Sequence, residues 1–570
     1  MLKNPAKKTK IEKRDNNKSV DSTSTSTTVI TVGSSEVEIN TVNLGEKTPD
    51  FLNTIYKLAK GLDDPAIRHK QQRDAIKILH SVMQNHLLNI LLDDKASDIL
   101  MCVFNRGRAP IKKKILIELE GDLFQIAQTD NGRRLIEIML RERSIEKARI
   151  IQAFFGKVSE LLKNKIGSYI MEAVYTESTS DQKARFISEV YGIKNSNDNS
   201  ILKLNGIIDQ NVLRKNEILC VVARNILNIV NEETIKHTIV QDMIIEYLTH
   251  TQIKEGQIIT GKINKFIGSI VNTKNGIHLA RLCFYHGTAK DRRIMLKSMV
   301  SKFASLCKSE YGHLLIVTIF ESVDNVDMVY KVVLTEIILN LQKIMENDYG
   351  RICLVHLLTG RSALLPQETK RALASMDHIR SRASQKDTRN KMKKLAKKIS
   401  PVLFRYIRDY PHKFFVSDNT GMILCVVLFY ANGNWVKAVN RLIEFIKATP
   451  PQQNVMLSQY NRYLCMLAHN RFDLSQNWSL MAAPPNNLDF AVKLWGCIRN
   501  HLEFYATNAA SSRVLASLLK INKVKSQVKI ALKPHEEVIR QTANENCPSI
   551  NWVAQHFGWT KFYTKESIDY

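Results

Sequence analysis

The sequence predicts an all-α solenoid, and three observations carry that prediction. Apolar residues recur with a 3.6-residue period along most of the chain, while strand-type alternation is essentially absent. The 570 residues hold only 22 glycines and 13 prolines, too few for a turn-rich β array. One helical signature also returns every 35 to 40 residues, the period of repeats that bury their apolar faces against each other.

Residues 1–50 combine a basic start with the tract Ser22 to Thr28 and hold few large apolar side chains, so they are expected to be a disordered tail. The fold is expected to begin near Phe51, where Leu52, Ile55, Leu58 and Ala59, then Ile76, Leu79, Val82 and Met83, line one face of a helix. The signature follows in ASDILMCVFNRG (96–107), NGRRLIEIMLRE (131–142), IGSYIMEAVYTE (166–177), NGIHLARLCFYHG (275–287), YGHLLIVTIFES (311–322) and YGRICLVHLLTG (349–360). With Ser97, Gly132, Gly167, His237, Ile277, Gly312, Gly350 and Thr420 as anchors, the separations are 35, 35, 70, 40, 35, 38 and 70. The two doubled gaps suggest an unrecognised unit inside each. Residues 190–216 read as a looped or degenerate repeat. Residues 376–400 read as a basic loop or degenerate repeat, separating a solenoid over 51–375 from further helical repeats over 401–533. Residues 534–570 are expected to be a tail.

The net charge of +27 favours polyanionic partners, nucleic acid or an anionic membrane surface. The longest apolar run, Met422 to Ala431, is far short of the roughly 20 residues a membrane-spanning helix needs. The start MLKNPAKKTKIEKRDNNK lacks the apolar core of a secretory signal, and the nine cysteines show no CxxC pair, so reduced core cysteines are expected and no metal site. Residues 3–18, 378–398 and 520–533 together carry eighteen of the 27 net charges, so contacts to a polyanion should be concentrated.

At these residues the chain resembles a known family. Its repeat helices resemble Pumilio (Puf) repeats, and NGIHLARLCFYHGTAKDRR, YGHLLIVTIFESVDN and NDYGRICLVHLLTGR are similar to the Puf-A/Penguin branch. The last part, with SSRVLASLL and VKIALK, looks like that branch's C-terminal Penguin-like region. The resemblance implies a right-handed, L-shaped array of about eleven Puf-type repeats that binds RNA or DNA with little sequence preference. It also implies a place in the nucleolus during large-subunit ribosome assembly and pre-rRNA processing, and in some members a role in translational control.

In Puf proteins that read sequence, each repeat offers two hydrogen-bonding side chains to a base edge and a third that stacks. The corresponding triplets here are Ser97/Asp98/Met101, Gly132/Arg133/Ile136, Gly167/Ser168/Met171, His237/Thr238/Gln241, Ile277/His278/Arg281, Gly312/His313/Ile316, Gly350/Arg351/Leu354 and Thr420/Gly421/Leu424. Met, Ile and Leu offer no donor or acceptor, so a base code is unavailable apart from a contact through Gln241. Arg133, His278, His313 and Arg351, with Arg134 and Arg281 nearby, either stack on a base or meet a phosphate, or simply solvate helix surfaces. Phosphate contacts are expected from Lys391, Lys393, Lys394, Lys397 and Lys398, and from Lys112, Lys113 and Lys114. Lys7, Lys8, Lys10, Lys13 and Arg14 form a cluster of the nuclear-localisation type.

Catalysis is not expected. GQIITGK (256–262) is followed by Ile263 where a phosphate loop needs Ser or Thr, and His80 and His86 are six apart, off one helix face. The expected function is therefore a monomeric RNA-binding scaffold of nucleus and nucleolus, using no cofactor. It would engage pre-rRNA and ribosome-assembly proteins, with mRNA or DNA as other ligands. The rivals are an mRNA-bound translational repressor and a protein-binding adaptor of the HEAT or armadillo kind.

Overall fold

The computed structural model describes residues 27–32, 35–40, 55–56, 59, 69–192, 203–383, 387–449, 457–471, 486–543 and 547–559. They fall into two compact units, residues 1–247 and 248–570.

The first unit holds a hairpin outside its helices. Strand β1, Thr27–Val32, pairs antiparallel with β2, Ser35–Asn40, with Thr27 opposite Asn40 and Val32 opposite Ser35. This corrects the expectation of a structureless stretch at these positions: TTVITV is dense in β-branched residues and SEVEIN alternates, a pattern that favours paired strands. Further on, Ile55 is fully buried.

Within each unit the helices carrying the repeated signature form a row. In the first unit they are α1 (Ala96–Arg106), α2 (Asp130–Arg141), α3 (Gly167–Glu177) and α4 (Thr238–His250), whose first ten residues close the unit. In the second they are α5 (Lys274–His286), α6 (Gly312–Ser322), α7 (Asp348–Thr359), α8 (Asp418–Tyr430), α9 (Leu457–His469), α10 (Ser512–Leu519) and α11 (Pro548–His556). Within the second unit each packs on the next.

A side chain three residues ahead of a small residue starts most of these helices. Asp93, Thr129, Asn164, Thr273, Ser309, Asn347 and Ser417 accept hydrogen bonds from the backbone N–H of Ala96, Gly132, Gly167, Gly276, Gly312, Gly350 and Thr420. Each bond satisfies a helix-end donor that has no partner inside the helix. The small residue is needed where chains meet. A Cβ at Gly132, Gly276 or Gly350 would run into the carbonyl oxygen six residues earlier, that of Ile126, Ile270 or Ile344. Gly276→Ala is expected to lower stability by about 1–3 kcal/mol, because backbone must move to admit the methyl. A thermal melt followed by tryptophan fluorescence checks this, since all five tryptophans lie beyond residue 434, in the second unit.

The caps correct the repeat register in two places. Ala96 and Gly276, not Ser97 and Ile277, are equivalent to Gly132 and Gly312. The doubled gaps are also corrected, because among the described residues no further row helix sits inside either. Across the first, Ser168 Oγ lies 3.2 Å from His237 Nε2, Tyr175 donates to Asp242 at 2.7 Å, and the backbone N–H of Ile239 donates to Glu172, so α3 and α4 are direct neighbours. Across the second, α7 packs directly on α8, and Asn419 Nδ2 donates to Asp348 Oδ1 at 2.9 Å. The extra residues form enlarged connections. In the first these include the helices Ser180–Val190, Leu204–Gln210 and Lys215–Ile229, so the described residues 203–216 of the segment read as a looped or degenerate repeat are largely helical.

Two boundaries also move. Of the two readings of the basic segment 376–400, a loop or a degenerate repeat, the loop is corrected: its described residues hold the helix Asp377–Ala383 and most of a 22-residue helix, Thr388–Asp409. The longer helix buries Met392, Leu395, Ala396, Ile399, Leu403, Phe404 and Ile407 on one face and sits in the second layer, against Val436–Ala448. Fully burying a Leu or Ile contributes about 1.5–3 kcal/mol each, enough to order a segment whose other face is charged. The tail expected from 534 is likewise helical over Glu536–Thr542 and Pro548–His556, and α11 packs on α10.

Candidate nucleic-acid interface

The face on which Puf repeats would read bases is largely committed to the protein's own contacts. In the first unit, the Arg133 guanidinium lies 4.1 Å from the centre of the Tyr169 ring, and its Nε donates to Glu137 at 2.8 Å. Tyr169 in turn donates to Glu233. Arg134 is exposed but paired with Asp98 at 3.0 Å. Gln241, the one side chain suited to a base edge, is buried and donates its amide to the carbonyls of Ile235 and Lys236, so it has no donor turned outward.

In the second unit the face over α5 and α6 is covered. All eleven residues of α6 are buried. The cover is the segment after α7, helices Gln367–Ala374 and Asp377–Ala383, which packs against α6 and α5 respectively. Arg281 donates to Thr318 Oγ1 at 3.1 Å and to the Ala372 carbonyl at 2.9 Å, and His313 Nε2 lies 3.3 Å from Thr369 Oγ1. Beside them Glu321 accepts from Arg361 Nε and Nη2, both at 2.7 Å, and lies 3.0 Å from His356 Nε2. Arg361 also reaches Asp377 at 2.6 Å. Arg281 and His313 are therefore structural, which corrects their reading as contacts to a base or phosphate: each is 5% exposed. The corrected register explains why Arg281 and His278 stand apart from the edge positions, which here are Gly276, Ile277 and Ala280. His278 meets solvent but sits low among packed protein, and that environment, with Arg281 and Lys274 adding to it, holds its imidazole down to about 4. Arg351 is half-buried at the start of α7.

The free positive charge gathers on the helix Thr388–Asp409. Lys393, Lys394 and Lys397 are exposed with no ion partner among the described residues, while Lys398 pairs with Asp327 at 2.7 Å. Lys391 is the exception that corrects the sequence reading. It is 3% exposed, and its ammonium donates to the Glu321 carbonyl at 2.5 Å and to Asp324 at 3.1 Å. Burial draws its pKa below the usual lysine value, against the pull of Asp324. Arg292 has the same use, donating to the carbonyls of Phe284 and Ser322 at the ends of α5 and α6.

Around this helix stand cations that the sequence reading passed over: Lys290 and Arg293 on the helix Ala289–Ser298, and Arg389 on the basic helix itself. The available signal was the run AKDRR beside the quoted repeat. The other basic cluster is only partly free. Lys112 is paired with Glu142, Lys113 is 4.0 Å from Glu146, and Lys114 is exposed. The localisation cluster Lys7, Lys8, Lys10, Lys13 and Arg14 lies outside the described residues. GQIITGK lies inside the helix Ile253–Ile263, where Gly256 gives room to the His286 ring. Among the described residues no group of three or more His, Cys, Asp or Glu could hold a metal ion, and no helix is long and apolar enough to cross a membrane.

Residues 346–464 match the CPL (NUC119) domain. Pumilio homolog 3 of Rattus norvegicus is 25% identical over 380 residues, covering 64% of this chain and 57% of that protein. The chain thus matches a little over half the length of that relative. Pumilio homology domain family member 6 of Schizosaccharomyces pombe is 23% identical over 467 residues, 80% of this chain and 72% of that protein. In fold, the chain is similar to the crystal structure of human Puf-A, with a TM-score of 0.74 at 20% identity, covering 89% of this chain and 100% of that one. The structure of human Puf-A in complex with DNA aligns with a TM-score of 0.71 at 20% identity, covering 87% and 98%.

Proposed function

Because the chain is a Pumilio-repeat protein of the Puf-A/Penguin type, we propose that it binds nucleic acid through phosphate contacts and reads no base code. The observation that carries this is the exposed row Lys393, Lys394 and Lys397 on one ordered helix, without ion partners among the described residues, beside a repeat face closed over α5 and α6 by the protein's own side chains. Human Puf-A, which shares the fold, has been solved with DNA. The ligand in the cell is RNA of the large ribosomal subunit precursor, held in the nucleolus as a scaffold for assembly proteins; the resemblance to the Puf-A/Penguin branch and the basic N-terminal cluster support this reading.

Phosphate contacts have a measurable signature. Each one released to salt lowers the slope of log K against log salt by about 0.7 on single strands, so Lys393→Glu/Lys394→Glu/Lys397→Glu should flatten the slope by about 2. Fluorescence anisotropy on a labelled RNA across a salt series reads this directly. Scrambling the RNA should leave affinity within a few-fold, and a strong sequence preference would overturn the proposal. In cells, crosslinked reads concentrated on large-subunit precursor RNA are the expected result, and reads confined to mRNA would move the protein to a translational role.

A further inference from the structure

The hairpin of the first unit has no place in the phosphate-binding reading, and its sheet is incomplete. The strand order is β1-β2, so among the described residues each strand keeps one edge with no hydrogen-bonded neighbour. Along the open edge of β1, alternate residues turn their backbone N–H and C=O groups away from β2. Two strands alone are marginally stable in water; a further strand is what makes such a sheet independent. The register places Thr28, Ile30, Val32, Ser35, Val37 and Ile39 on one face and their neighbours in sequence, Glu36 and Glu38 among them, on the other.

The two open edges differ in what they accept. β1, TTVITV, has no charge and no proline, and every residue in it is β-branched, the composition of an edge open to another strand. β2, SEVEIN, carries Glu36 and Glu38, and a second β2 laid antiparallel on it about Val37 would set Glu36 opposite Glu38. A second β1 meets no such repulsion. Turned about a two-fold axis normal to the sheet, it lies antiparallel on the first with Ile30 opposite Ile30, Thr28 opposite Val32 and Val29 opposite Thr31. This register keeps each residue on its own face, whereas a one-residue slip would set the apolar face against the acidic one. Because Ile30 is paired with Val37 inside each hairpin, the row Val37, Ile30, Ile30, Val37 then crosses four strands on one face. Both outer edges of that sheet are β2, whose glutamates oppose further growth, so the assembly closes at two copies.

We infer that the chain forms a symmetric dimer through antiparallel pairing of β1 with β1 of a second copy. This departs from the monomer expected of the sequence, and it does not depend on nucleic-acid binding. The test is sedimentation velocity on the nucleic-acid-free full chain at physiological salt. With a dissociation constant of about 100 µM or tighter, more than half of the chains should be paired at about 200 µM and about a tenth at about 5 µM. Ile30→Lys and Ile30→Glu each set like charges opposite one another at the two-fold axis, and each alone should pair at least tenfold more weakly than the parent. Mixed in equal amounts they set Lys opposite Glu, and the mixture should associate at least fivefold more tightly than either variant alone. That rescue separates loss of pairing from loss of the hairpin. The inference is overturned if the parent keeps the mass of one chain throughout the series, which would leave the edge to a foreign strand or to none. It is equally overturned if Ile30→Lys pairs as well as the parent, if the mixture shows no rescue, or if the parent grows past two copies.

Discussion

Glu321→Ala should destabilise the second unit by about 3–5 kcal/mol, the range for breaking a buried ion pair from one side. The carboxylate is 2% exposed and lies among His356, Arg361 and Arg380. Burial alone would raise its pKa; the Arg361 and His356 hydrogen bonds, and then their charges, overcome that and bring it down to about 2. Removing it leaves two guanidinium groups facing a closed site with only Asp377 to answer them. Replacing Asp377, whose side chain is 42% exposed, should cost under about 1 kcal/mol because water screens it. The same carboxylate fastens the cover over α6, so hydrogen exchange of peptides spanning 367–382 should speed up in Glu321→Ala beyond the change in the rest of the unit. A melt and an exchange map indistinguishable from those of the parent chain would show that the cover is held by packing alone.

How far this arrangement could be read in advance depends on the range of the interactions concerned. The row helices were legible because their signal is local: an apolar face at helical spacing and a small residue at the start. The register slipped at Ser97 and Ile277 for a local reason as well. The capping residues Asp93 and Thr273, three ahead of Ala96 and Gly276, give the phase, and the apolar pattern alone leaves it open by one residue. The basic helix was obscured by its composition. Nine cations within 378–398 read as solvated chain, although Met392, Leu395, Ala396 and Ile399 already trace a buried stripe. The fate of Lys391 lay beyond the sequence altogether. Its partners Glu321 and Asp324 are 70 and 67 residues away, and nothing local separates it from Lys393 or Lys394. The same holds for the cover, since Arg281 meets Ala372 across 91 residues. Charge was therefore a sound guide to the segment that faces outward and a poor guide to which of its members do so.

Acid should weaken the second unit before its carboxylates titrate. His286 is fully buried, its Nε2 lies 2.8 Å from the Leu248 carbonyl, and burial pulls its pKa down to about 4 against the opposing pull of that carbonyl. His469 is half-buried, and burial, then Arg471 and Lys520, bring it to about 4 as well. In the unfolded chain both titrate near 6.5. Between these values the unfolded state binds more protons than the folded one, so stability falls as pH falls from 6.5 to 4 and levels off below. Taken from pH 7 to pH 5, each group removes about 2 kcal/mol, and the pair about 4. Glu321 acts in a lower window: its contribution is present above about 4.5 and is lost only as pH falls toward 2. Urea midpoints followed by tryptophan fluorescence at pH 7, 6 and 5 separate the two. His286→Gln, which keeps a side-chain amide donor but cannot gain a proton, should lose about 2 kcal/mol of the parent's pH dependence across that range. Glu321→Gln should leave the slope between pH 7 and 5 intact while lowering every midpoint. If His286→Gln retains the full slope, the acid sensitivity belongs to His469 and to the other buried histidines whose pKa burial lowers, His313 among them.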